Sequence, residues 1–425
     1  MGEHKGPSDT EGYRFMKETI KNRPVNWKAL FRRALFLIGS AALFGAVAAL
    51  VFSLVYPAAV ERMGTQQDDG EKVKIPKDEL DATEAPAQEE TPTPRVVEVP
   101  RQITLEDYDK IYNEILAIAE GPRKALVHVS GVQGEEDLLD NTVLSSGETE
   151  GIIFEENGRE YFILTERTVL LDAEEVQVRF VDGSASPATQ MKTDMATGLA
   201  VITVSKGSMK EKTLEAVTVA PLGNSYSLVQ GKSVIAIGCP TGYNDSVAYG
   251  NVTSVSNKIS VMDMEYNLLT TDILGSGEGS GVLLDTTGSI IGIIAMDYGP
   301  EDTRTMVKAM SVSQLKPLIE NLSNGKDVTY MGIWGREVSE EAAESMGSSR
   351  GIFVEKVEED SPAMEAGIQR GDVVTAFNKK SVHTMQRFYT ELQKCTKGQK
   401  VQVAIMRKGA EGYGQTKITV ALDVK

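Results

Sequence analysis

The chain holds only three histidines, His4, His128 and His383, so any chemistry that needs an imidazole must use one of them. It holds two cysteines, Cys239 and Cys395, far apart in stretches that read as separate domains. A disulfide framework is thereby excluded, and the single thiols read as packed side chains. Basic charge is short: 44 Lys and Arg stand against 61 Asp and Glu, for a formal net charge of -17. Phosphate binding needs a basic surface, so nucleic acid is not an expected partner. No cofactor and no metal site are expected. A chain of 425 residues is too long for one ordinary domain and predicts two or three.

Residues 1–33 are polar and carry Lys5, Arg14, Lys17, Lys21, Arg23, Lys28, Arg32 and Arg33. Ala34–Tyr56, ALFLIGSAALFGAVAALVFSLVY, then runs without a single charge. At about 1.5 Å per residue, such a helix can cross a hydrocarbon core of roughly 30 Å. The basic cluster before it predicts a cytoplasmic N-terminus with everything later outside the cell membrane. A single-pass anchor is therefore expected over 34–56, with a cleaved signal peptide as the rival reading. Residues 57–103 mix acidic side chains with Pro76, Pro86, Pro92, Pro94 and Pro100, which predicts an extended, disordered spacer.

Thr104–Ala119 places Leu105, Tyr108, Ile111, Ile115 and Ile118 at near-helical spacing, and Thr104 before Glu106 and Asp107 suits a helix start. Short strands follow, separated by Gly, Asn and Asp turns: Ala125–Val129, Gly151–Phe154, Tyr161–Thr165, Val176–Val181 and Leu199–Val204. Ser233–Gly238, Gly250–Val255, Leu268–Thr271, Gly281–Leu284 and Ile290–Ala295 continue the series. So many strands without long intervening helices predict an all-β sandwich or a pair of barrels. Within it lies Gly275–Asp285, GSGEGSGVLLD, a glycine-rich loop between two apolar strands. It reads either as a plain hairpin turn or as the place where a barrel displays a nucleophilic serine and oxyanion amides.

Three signatures make residues 124–315 resemble the HtrA/DegP family of trypsin-like proteases. Tyr161–Leu170, YFILTERTVL, followed by Val176–Gly183, VQVRFVDG, is similar to the strand, base segment and next strand of that family. Asp194–Ile202, DMATGLAVI, resembles the segment that carries its aspartate. Val234–Gly238 with Pro240 and Gly242, Gly250–Ser254, and Thr271-Asp272 resemble the second barrel leading into the serine loop. The departures fall on the chemistry. The position of the general base is Thr168, and that of the orienting aspartate is Gly198. The serine loop is one residue short, so Gly279 or Ser280 takes the nucleophile position, depending on the direction of counting.

A serine hydroxyl is a poor nucleophile until a base takes its proton, and threonine cannot do so. His128 is expected to be a strand residue with a satisfied hydrogen bond, and His383 belongs to another domain. A serine–lysine dyad with Ser280 would need Lys192 or Lys258 close by. The domain over 104–320 is thus expected to keep a protease fold with an emptied active site.

Residues 328–425 resemble the PDZ domains that follow the protease in that family. The matching stretches are Tyr330-Met331-Gly332-Ile333, Gly351–Val354, Ser361-Pro362-Ala363, Ala366-Gly367-Ile368 and Arg370–Val374. The resemblance implies a loop, Tyr330–Ile333, whose amides hold a ligand's C-terminal carboxylate while the peptide adds as a strand. Gly332 is expected to let the backbone approach that ligand. Met385, Phe388 and Leu392 share one helix face, either lining a pocket for the last ligand side chain or packing on the sheet.

The whole reads as mainly β: a transmembrane helix, a trypsin-like double β-barrel and an α+β PDZ domain. Three functions are compatible with it. One is an anchored pseudoprotease that binds unfolded proteins or C-terminal peptides as scaffold, sensor or chaperone. Another is a serine endopeptidase using Ser280 with an unorthodox base. The third is an assembly subunit, since the resemblance implies a homotrimer.

Overall fold

The computed structural model describes residues 72–78, 104–136, 143–171, 173–299, 304–410 and 412–424. No helix among the described residues is long and apolar enough to cross a membrane. The expected span over 34–56 lies outside the described residues.

Two closed barrels of six strands each follow one another along the chain. The first is built from β1 (Leu126–Glu136), β2 (Val143–Glu156), β3 (Glu160–Glu166), β4 (Glu175–Arg179), β5 (Ala185–Thr193) and β6 (Leu199–Ser205). The second uses β7 (Ser233–Cys239), β8 (Ser246–Val261), β9 (Met264–Leu274), β10 (Ser280–Leu284), β11 (Ile290–Ile294) and β12 (Met306–Ser311). The circuits are β1-β2-β3-β6-β5-β4 and β7-β8-β9-β12-β11-β10, so the second repeats the first. β3, β6 and β11 are buried along almost their whole length, which is why they read as continuous apolar runs rather than alternation.

Each strand expected from the sequence lies within or overlaps one of these, but β5 and β12 were not expected. β5, ASPATQMKT, carries a proline and almost no apolar alternation. β12, MVKAMS, turns Lys308 inward, where the side chain is buried. Each carries a residue that argues locally against a buried strand, Pro187 in β5 and Lys308 in β12, and closure of its barrel holds it in place.

Helix α1 (Leu105–Arg123) precedes the first barrel, and Thr104 and Asp107 exchange the reciprocal hydrogen bonds of a capping box. Its inner end is packed through Ala119, whereas Leu105, Tyr108 and Ile111 stay exposed. Helix α2 (Val312–Ser323) leaves β12 and buries Val312, Leu315, Leu318, Ile319 and Leu322 against both barrels. Residues 72–78 do not behave as the expected spacer. Val73 and Ile75 are buried in the barrel core, and Asn324 Nδ2 donates to Val73 O at 3.0 Å. Asp78 takes Lys316 Nζ at 2.8 Å and Ser313 Oγ at 2.5 Å. Two apolar residues spaced by lysines suffice to seat this strap on α2.

The C-terminal domain is a separate core. β13 (Thr329–Tyr330) pairs with β20 (Asp423–Val424). The main sheet is β14 (Ile333–Glu337), β15 (Ile352–Val357), β16 (Val373–Phe377), β18 (Lys400–Gly409) and β19 (Gly412–Ala421), with β17 (Lys380–Ser381) on β16. Helix α3 (Met385–Leu392), capped by Thr384, lies over it, and Phe388 meets Phe377 edge-on at 5.3 Å. β14 is an edge strand, with β15 as its one ladder partner among the described residues.

Candidate functional site

A cavity of about 370 Å³ is lined by both barrels, and Thr168, Gly198 and Gly279 all line it. Thr168 sits on the 3-10 turn Arg167–Leu170 that ends β3, its hydroxyl donating to Glu166 Oε2 at 3.4 Å. Gly198 closes the turn before β6. Asp194 shapes that turn by accepting from Thr197 N at 2.8 Å and Thr197 Oγ1 at 2.7 Å, and burial pushes its own carboxyl upward. Gly198 has φ of 73°, a left-handed conformation, and its carbonyl accepts from Arg167 N at 2.7 Å. That bond places the segments of Thr168 and Gly198 side by side.

The glycine-rich loop turns its amides inward. Gly279 N donates to Ser276 O at 3.0 Å and Glu278 N to Ser276 Oγ at 3.3 Å, while Ser276 N is held by Pro240 O at 2.9 Å. A Cβ at 279 would stand 2.6 Å from Pro240 O and 2.9 Å from Ser276 O. Ser280 opens β10 opposite Cys239, half-buried, and its side chain makes no hydrogen bond among the described residues. It does not line the cavity. Gly281 (φ 114°) faces Gly238 (φ 113°) across the ladder that closes the second barrel.

None of the candidate bases stands at the cavity. His128 lies on β1, its Nδ1 3.4 Å from Glu150 Oε1, and neither atom has a hydrogen-bond partner among the described residues. Glu150 is its cross-strand neighbour, and the satisfied hydrogen bond expected for His128 is absent at Nδ1. His383 is on the C-terminal domain, 2.9 Å from Ser381 Oγ. Lys192 pairs with Asp327 at 2.6 Å and Lys258 with Glu265 at 2.6 Å.

In the C-terminal domain the Tyr330–Ile333 segment links β13 to β14, and three successive amides converge on one carboxylate. It belongs to Asp263, at the tip of the β8–β9 hairpin. Met331 N donates to Oδ2 at 2.6 Å, Gly332 N to both oxygens at 3.0 and 2.9 Å, and Ile333 N to Oδ1 at 3.0 Å. Gly332 (φ 92°) is needed there because a Cβ would stand 2.3 Å from Ser361 Cβ. The crowding is behind the loop, not on the ligand side where it was expected. Met385, Phe388 and Leu392 are fully buried in the core of this domain, which favours packing over an open pocket. Tyr389, one position on from Phe388, packs instead with the barrel core.

Residues 149–293 match the family model of the trypsin-like peptidase domain, and residues 329–418 that of the PDZ domain. Serine protease Do-like HtrA of Bacillus subtilis (strain 168) is 31% identical over 286 residues, an alignment covering 63% of this chain and 62% of that protein. Serine protease Do-like HtrB of the same organism is 28% identical over 278 residues, covering 61% and 59%. The chain combines a trypsin-like peptidase domain with a PDZ domain and is similar to the HtrA serine proteases. It spans about three fifths of the length of these HtrA relatives. The solved HtrA-type protease AlgW with decapeptide shares the fold at a TM-score of 0.51 and 21% identity, over 73% of this chain and 98% of that one.

Glu150 is one of the cavity carboxylates that sequence reasoning missed, with Glu166, Glu278 and Asp297. Burial, reinforced by Asp245 and Glu148, pushes its carboxyl to about 7. The folded state therefore holds this proton more tightly than the unfolded chain. The stability this confers is complete below the unfolded value of 4.5 and is lost as pH rises through 7. Glu150→Gln is expected to gain about 3 kcal/mol at pH 8, the gain shrinking toward zero as pH falls to 4.5. Urea unfolding at both ends of that range measures it, and a pH-independent difference would refute the assignment.

Proposed function

We propose that the chain is a catalytically emptied HtrA protein, anchored by residues 34–56 with its later domains outside the cell membrane. In this reading it acts in protein quality control by binding unfolded proteins or protein C-termini through its PDZ domain, as scaffold, sensor or chaperone. The observation that carries the reading is the loop at Gly279. Acyl transfer needs an activated nucleophile beside amides aimed at the developing oxyanion. Here the position that lines the cavity has no room for a side chain, and its amide is spent on Ser276 O. Thr168 and Gly198 supply neither a base nor an orienter.

Losing the members of such a triad costs about 10⁴–10⁶ in turnover. The full chain, incubated with a fluorophosphonate probe beside an active HtrA protease, is expected to stay unlabelled. It is also expected to leave unfolded casein intact. Labelling that disappears in Ser280→Ala would establish the endopeptidase reading instead. For the anchor, protease added to intact cells should remove the portion after residue 60, and protection of that portion would refute it.

A further inference from the structure

The PDZ groove of this chain already has an occupant. In strand-addition recognition, a peptide lies antiparallel to the edge strand, and its terminal carboxylate sits on the amides of the preceding loop. β14 is that edge strand, and the end of β8 runs along it in just this sense. Asp263 N donates to Ile333 O at 2.7 Å, Ser260 Oγ donates to Gly335 O at 3.2 Å, and Lys258 Nζ reaches Glu337 at 3.4 Å. Residue numbers fall along β8 as they rise along β14, the polarity of a bound C-terminus. At the end of the run the Asp263 carboxylate takes the three loop amides, and it is buried.

A side-chain carboxylate can reach this nest only from a sharp turn. Asp263 adopts φ of 63° between Val261 and Met264, which pair directly across the hairpin. Aspartate is one of the few residues besides glycine that tolerate that region. Tyr266 and Tyr389 are buried in the same apolar cluster, joining the hairpin to α3.

We infer that Asp263 is an internal stand-in for a ligand's C-terminal carboxylate, and that a peptide with a free C-terminus must displace the β8–β9 hairpin to bind. The inference rests on the PDZ reading above and adds its regulation. A site that is open only part of the time binds with an affinity reduced by the open fraction. Because β8 and β9 are also walls of the second barrel, displacement of their tip reaches the barrel directly.

The test uses the full chain and a fluorescent peptide ending in an apolar residue, as its free acid and as its C-terminal amide. Asp263→Asn keeps the turn and removes the charge, and Asp263→Gly removes the side chain. Both variants are expected to bind the free acid at least about tenfold more tightly than the wild type, and the amide should bind to none of them. Hydrogen exchange gives a second readout: the amides of Met331, Gly332 and Ile333 should exchange faster in both variants. Equal affinity for the free acid in wild type and variants would overturn the latch and leave the PDZ reading standing. Unchanged exchange at the three amides would overturn the latch whatever the peptide does. Faster exchange with no binding of any C-terminal peptide would instead overturn the PDZ reading, and the competition with it.

Discussion

Asp78→Ala is expected to destabilise the barrel pair by about 3–5 kcal/mol, the cost of leaving one member of a buried ion pair without its partner. Lys316 is the member left behind. Its side chain is 4% exposed, and both of its short contacts to carboxylate oxygens are to Asp78. Ser313 Oγ loses its shorter acceptor at the same time and keeps only Asn224 Oδ1 at 3.4 Å. Chemical denaturation monitored by circular dichroism measures the loss. The double variant Asp78→Ala/Lys316→Met should recover most of it, because the stranded charge is then gone. A single variant as stable as the wild type would show that the strap contributes nothing to the body.

Gly281→Ala is expected to break the closure of the second barrel. A Cβ there would stand 2.2 Å from Ile237 O, a backbone atom with no rotamer to escape into. The residue also has φ of 114°, where an L side chain is strained. Strain of about 1–2 kcal/mol and overpacking of about 1–3 kcal/mol act together. Of a folding free energy of about 5–15 kcal/mol, that is a large part. The expected result is a fall in the thermal midpoint and poor soluble yield, while Gly277→Ala, with nothing within 4 Å, should behave as wild type. Indistinguishable melting of the two variants would remove the assigned role of the Gly238–Gly281 contact.

An all-β body was legible because apolar strands and glycine turns repeat along the chain, a pattern that leaves a sandwich or a pair of barrels open; the resemblance to the HtrA/DegP family chose the barrels and the PDZ domain. Phe162–Leu164 and Ile290–Ile294 announced strands buried on both faces. β5 and β12 did not, since Pro187 and Lys308 argue locally against a strand and only the neighbouring strands overrule them. Thr168 and Gly198 were singled out from short flanking patterns that resemble the family, and both line one cavity. What sequence could not convey was the direction of backbone amides: nothing in GSGEGSG says that Gly279 N turns toward Ser276. Nor does Met262-Asp263-Met264 advertise a carboxylate aimed at another domain, because the partner lies nearly seventy residues onward. Gly332 was singled out for approach to a ligand, while the crowding by Ser361 arises only once the sheet is assembled and had no signal in the sequence.

Confinement of Gly279 between Pro240 and Ser276 bears on the history and future of this loop. In many enzymes a lost nucleophile can return by one substitution, because the pocket that held it persists. Here the backbone occupies the space a side chain at 279 would need, so under the proposed reading Gly279→Ser alone meets a clash before it meets a substrate. Under the same reading, chemistry would require re-laying the loop first, then a base at 168 and an acid at 198, where the left-handed backbone resists a side chain.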